Sequence, residues 1–176
     1  MFTLHEKVVY PGQGVAEVRK IVERFVNGAK VPYYELIFMN KRITVLVPIE
    51  KAELVGLRIL CNDKQIKAIF NALCIPARKL SIEEFLAVTW NRRSKKYQAK
   101  ILTGRLEELL EIYRDLYFIG QHKELSFGEK HVFEQVETLL IEEFSLIYGI
   151  PEKSAQDILR IRASKIFKQG QKIKVL

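Results

Sequence analysis

The chain has 176 residues, 48% hydrophobic and 28% charged, with a formal charge of +8 and a pI near 9.5. That composition excludes a disordered chain and allows one domain or two small ones around a real core, and its positive balance favours an acidic partner. Two cysteines outside any CxxC pair, Cys61 and Cys74, argue against a disulfide framework or a thiolate zinc site; with no signal-peptide or bilayer-length apolar run, a cytoplasmic protein is expected.

Residues 1 to about 58 read as a small β module. Val8-Val9-Tyr10 is a strand ended by the turn cluster Pro11-Gly12-Gln13-Gly14. Asn27-Gly28 predicts a type I′ hairpin turn, because both residues tolerate positive φ, and it sets Ala16 to Val26 against Ala29 to Phe38. On the return strand Tyr34, Leu36 and Phe38 alternate with Glu35 and Ile37, which predicts one buried face and one partly apolar face. A further β-branched strand, Ile43 to Val47, should stop pairing at Pro48. Four or five strands at this spacing predict a small, strongly bent sheet or barrel, whose edges can accept a strand from another protein. Gly12-Gln13-Gly14 is no dinucleotide fingerprint, since the third glycine is missing and strands follow.

From about residue 59 to 176 the apolar period becomes helical. Ile66, Ile69, Phe70 and Leu73 predict a helix closed by Pro76, and Ser81 with Glu84 forms a capping box ahead of Ile82, Phe85 and Leu86. Thr89 is positioned to cap a helix opening at Trp90. After Gly104 a stripe of Leu106, Leu109, Leu110, Tyr113, Leu116 and Tyr117 lies opposite Glu107, Glu108, Glu111 and Asp115. Ser126 to Glu129 is a second capping box, opening a helix that carries Val132, Val136, Leu140 and Phe144 as far as Gly149. The last helix, from about Ser154, turns Ala155, Ile158, Leu159 and Ile166 inward and Arg160, Arg162, Lys165 and Lys168 outward, and residues 170 to 176 are expected to fray.

The stretch Trp90 to Lys100 joins the sole tryptophan to a basic run free of any carboxylate. Trp90, Ser94, Tyr97 and Ile101 share one helix face, so Trp90 reads as core. Arg92, Arg93, Lys95, Lys96, Lys100 and Arg105 lack the neighbouring carboxylates of a solvated helix, so a polyanion reads as their partner. At the first turn Trp90 can do both jobs, one ring edge inward and the other beside the cations, as a minor-groove wedge requires. No catalytic constellation competes: His5, His122 and His131 are scattered, and Glu107-Glu108 and Glu142-Glu143 are read as lying on acidic helix faces. The open alternatives are a stand-alone DNA-bending or RNA-binding protein, a protein-bridging adaptor, and an enzyme whose site is not advertised.

These motifs resemble the bacterial CarD-like (CdnL) transcription regulators. Val8-Val9-Tyr10-Pro11, Gly14, Tyr33-Tyr34, Thr44 to Pro48 and Val55 to Arg58 look like the family's amino-terminal module, similar to the polymerase-binding module of transcription-repair coupling factor. Trp90 to Arg93, Gly104, Arg114 to Leu116 and Leu125 to Lys130 look like its helical DNA-binding module. The resemblance implies an α+β fold of two modules: a Tudor-like β module docking on the RNA polymerase β subunit by strand-edge pairing, and an all-α helical bundle touching promoter DNA. It further implies a monomeric, non-enzymatic regulator without cofactor, held at the nucleoid through polymerase. By this likeness Trp90 wedges into the minor groove at the upstream edge of the melted region, Arg92, Arg93 and Lys95 meet phosphates, and Lys96 and Lys100 continue the DNA-binding set. Arg24 and Val26 fall on the polymerase side, with Leu46 where some relatives carry an arginine.

Overall fold

A computed structural model describes residues 1–41, 43–74 and 88–172. The chain divides into two compact units, Met1–Leu60 and Cys61–Leu176, two residues beyond the expected boundary.

The first unit is a five-stranded antiparallel sheet of β1 (Lys7–Tyr10), β2 (Gly14–Val26), β3 (Ala29–Phe38), β4 (Thr44–Pro48) and β5 (Arg58–Ile59), in the order β4-β3-β2-β1-β5. The Asn27-Gly28 turn is as the dipeptide predicts, with φ of 50° and 82° and Val26 opposite Ala29. The sheet is open where a barrel was the alternative, because β4 and β5 end it without pairing to each other. β5 is only two residues long, too short for any periodicity to announce it, yet it pairs with Val8 and Val9.

One face of the sheet forms the core. Val18 lies opposite Leu36, Ala16 opposite Phe38 and Tyr34 opposite Val47, all buried. The buried Tyr34 hydroxyl accepts a hydrogen bond from the Phe2 backbone N–H at 2.9 Å, so a polar group is taken from water without being left unsatisfied. The register then slips between Val18 and Lys20, a bulge that inserts Arg19 and exchanges the faces of β2 beyond it. From there on Lys20 faces Glu35, Val22 faces Tyr33 and Arg24 faces Val31.

The second unit contains, among the described residues, the helices α1 (Asp63–Cys74), α2 (Trp90–Thr103), α3 (Leu106–Gly120), α4 (Phe127–Tyr148) and α5 (Glu152–Lys172). Their starts and stops follow local chemistry. Ser126 caps α4 in a complete capping box with Glu129, and Gly104 and Gly149 end α2 and α4 at left-handed φ of 66° and 61°. Thr89 occupies the cap of α2 without a side-chain capping bond; its carbonyl instead accepts from the N–H groups of Arg92 and Arg93, both at 3.1 Å. The Ser81–Glu84 capping box, Pro76 and the residues after 172 lie outside the described residues, as do the side chains of Phe70, Leu73, Ile166 and Lys168.

The core of this unit gathers Ile66, Tyr97, Ile101, Leu110, Leu116, Val136, Leu140, Phe144 and Leu159 from all five helices. The stripe on α5 is narrower than expected: Ala155 and Leu159, four apart, are each 1% exposed, whereas Ile158 on their flank is 38% exposed. Glu142 and Glu143, expected on an acidic helix face, are buried, because α4 is packed from both sides by α3 and α5. Glu143 is satisfied in part by the Cys61 backbone N–H at 3.3 Å. Arg160, expected simply outward, grips the buried Glu137 with Nε and Nη2 at 3.0 Å each, tying α5 to α4.

Candidate nucleic-acid and protein interfaces

Trp90 is the first residue of α2 and is half-buried against the helical core. Its ring lies 6.4 Å from that of Tyr97, one side of the seat that the helix-face reading assigned it. The other side was not legible in the sequence: a Cβ placed on Gly128 would come within 2.8 Å of the indole Nε1 and 3.0 Å of Cε2. Gly128 therefore lets the start of α4 meet the indole edge in a contact that a methyl group would obstruct.

The basic run divides by helical azimuth. Arg92, Lys95 and Lys96 are exposed, and at spacings of three and four they share one face. Among the described residues no carboxylate pairs with them. Arg93 differs from the expectation of a phosphate contact: it is 8% exposed, and its Nη2 donates to Glu129 Oε1 at 2.9 Å. Its Cζ sits 5.6 Å from the Trp90 ring centre, within the range of a cation–π contact. Lys100 likewise departs from the free set, since it is partly buried and paired with Glu111 of α3. A run that holds no carboxylate in sequence thus acquires two in space.

Glu129 collects three donors. Beside Arg93, the Lys123 ammonium and the Ser126 N–H each reach its Oε2 at 2.9 Å. Burial alone would raise its pKa, but the hydrogen bonds from Ser126, Lys123 and Arg93 outweigh that and hold it at about 2. The buried Tyr97 phenol is pushed upward, by burial and by the charge of Asp115.

The first turn of α2 holds no acidic residue and two arginines. Cations there oppose the helix dipole by roughly 0.3–1 kcal/mol each at exposed sites, a penalty that a bound anion would reverse. Phe127 is a candidate that the sequence reading passed over. It opens α4 next to Gly128 and is 89% exposed. Its place off the Val132–Val136 stripe was the available signal.

In the sheet unit the bulge brings Arg24, Val26 and Leu46 to the face opposite the core: Leu46 faces Glu35, Arg24 faces Val31 and Val26 faces Ala29. Val22, Val31 and Tyr33 share that face half-buried, and none of them joins the core. Past Arg19, β2 pairs only with β3, and β3 loses β4 beyond Tyr33, so the hairpin tip is a two-stranded ribbon with open edges among the described residues.

No cluster of three metal-ligating side chains and no helix long and apolar enough to cross a membrane occurs among the described residues. A sheet with a partly apolar second face and open edges, together with a helical unit in which one helix carries a half-buried tryptophan at its start and exposed cations along it, has the make-up of a two-module binding protein. Residues 2–60 match the CarD-like/TRCF RID domain and residues 79–160 match the CarD C-terminal domain. The chain is 28% identical over 153 residues to the Bacillus subtilis (strain 168) protein named "Putative transcription factor YdeB", covering 87% of this chain and 96% of that protein. It belongs to the CarD-like family, a class of transcription regulators that act with RNA polymerase.

Proposed function

We propose that this protein docks on the β subunit of RNA polymerase through residues 1–60 and stabilises the open promoter complex through Trp90. The observation that carries the reading is a half-buried tryptophan at the start of the helix that also carries the exposed Arg92, Lys95 and Lys96, which make no ion pair among the described residues. An aromatic edge inserted at a base step unstacks it at about a few kcal/mol, offset by cationic contacts to the flanking phosphates. The wedge responds to deformability rather than to a base code, as the end of a melted bubble requires.

Docking is supported by the face that joins Arg24, Val26 and Leu46 and by the unpaired edge of β2 beyond Arg19, where a strand of the partner can add. Two modest contacts in one monomeric chain reinforce each other through effective concentration, which would keep the protein at the nucleoid with polymerase.

The test is the lifetime of open complexes on an unstable promoter with wild type, with Trp90→Ala and without the protein. The expected result is a longer lifetime that requires Trp90 while polymerase binding persists in the variant. An unchanged lifetime with wild type, despite confirmed polymerase binding, overturns the reading and favours a protein-bridging adaptor. Tight binding of DNA or of RNA without polymerase would favour a DNA-bending or an RNA-binding protein respectively.

A further inference from the structure

We infer that Arg93 and Glu129 form a buried clamp that fixes the Trp90 indole in its half-buried seat, and that Arg93 is a positioning residue rather than a phosphate contact. The inference rests on the proposed role of Trp90 in binding DNA.

Three observations carry it. The guanidinium is immobilised from two directions: Nε donates to the Val88 carbonyl at 3.1 Å and Nη2 to Glu129 at 2.9 Å. Its plane is thereby held near the indole, 5.6 Å from the ring centre. Glu129 itself is fixed at the start of α4 by the capping box and by Lys123. Because Gly128, the residue before Glu129, lies against the indole edge, one turn of α4 supplies both the floor and the anchor of the seat. A side chain 10% exposed and already spanned by an ion pair is poorly placed to replace phosphate counterions, whereas Arg92 on the open face is well placed.

A carboxylate next to bound DNA gives the test its sign. If charge alone governed this site, Glu129→Gln would remove a repulsive anion and tighten binding. If the clamp governs it, Glu129→Gln frees the guanidinium and weakens binding to a duplex with a bubble, where the wedge acts, by at least about threefold, the lower end of what losing a cation–π contact costs.

The experiment uses the whole protein with Arg93→Gln, Arg93→Lys, Glu129→Gln and Arg92→Gln, each checked by its melting curve. Trp90 is the sole tryptophan, so acrylamide quenching of the free protein reports this seat alone. Quenching should rise in both Arg93 variants and in Glu129→Gln, and stay at the wild-type level in Arg92→Gln. Lysine keeps the charge but not the planar fork, so Arg93→Lys separates position from charge should Arg93→Gln fail to fold. In DNA titrations over salt, Arg92→Gln should lower the log–log slope by about 0.9 and Arg93→Gln should leave it unchanged. Unchanged quenching in Arg93→Lys, a slope loss of about 0.9 in Arg93→Gln, or tighter binding by Glu129→Gln would each overturn the clamp. Trp90→Ala binding the bubble duplex like wild type would instead overturn the DNA reading, with the quenching result still deciding whether the clamp exists.

Discussion

Replacing Gly128 by alanine puts a methyl group 2.8 Å from the Trp90 Nε1, 3.0 Å from Cε2 and 3.1 Å from Cζ2. Unstrained contacts between such atoms lie near 3.5–4.0 Å, so the indole must retreat by about 0.5–1 Å. The neighbouring backbone belongs to the first turn of α4, which the capping box fixes, so the ring has to yield. Overpacking of this kind costs about 1–3 kcal/mol, set against a gain of up to about 1 kcal/mol for alanine over glycine in a helix. The expected net loss is about 1 kcal/mol, a fall of roughly 4 °C in Tm for a unit of this size. The sign should reverse in a Trp90→Ala background, where the methyl meets space and only the helix gain of up to about 1 kcal/mol remains. Melting curves of the two single variants and the double variant complete the cycle, with indole emission as a second readout. A stabilising Gly128→Ala in the wild-type background, with emission unchanged, would refute the close approach of α4 to the ring.

Other expectations concern separate parts of the chain. Arg24→Glu should weaken polymerase binding about fivefold, roughly 1 kcal/mol, and Leu46→Arg should strengthen it, both read by direct binding of the protein to polymerase. Glu129 has its pKa lowered from 4.5 to about 2, so its contribution is fully present above pH 4.5 and is lost as pH falls towards 2. The difference in Tm between wild type and Glu129→Gln should therefore shrink across that window, and a difference that grows with acid would contradict the ion pair. Glu137→Gln loses the charge that Arg160 grips and the charged acceptor of Tyr113 Oη at 3.0 Å. It should cost about 1–3 kcal/mol of thermal stability, measured by calorimetry. Gly28→Ala meets no atom within 4 Å, so backbone strain at φ of 82° alone should lower stability, by about 1 kcal/mol in a denaturant titration.

What the sequence determined by itself is what short-range chemistry decides. Asn27-Gly28 demands positive φ wherever it lies, Ser126 and Glu129 close a capping box within four residues, and Gly104 and Gly149 end their helices without help from distant contacts. The alternation on β3 and the stripe on α3 identify buried faces because each repeat belongs to its own element. The packing of Trp90 on the Tyr97 face of its helix was legible for the same reason.

Charge pairing was not. Arg93 and Lys100 look as free in sequence as Arg92 and Lys95, and only the packing of α3 and α4 brings Glu111 and Glu129 to them. Glu142 and Glu143 look solvated until α4 is seen to have neighbours on both sides. The bulge at Arg19, which decides that Arg24 and Val26 share a face with Leu46, depends on how two strands register, and a slip of one residue exchanges every side chain. Periodicity and φ preferences act within a few residues, whereas the partner of a charge and the face of a strand beyond a bulge depend on where another element comes to rest, which only the tertiary structure decides.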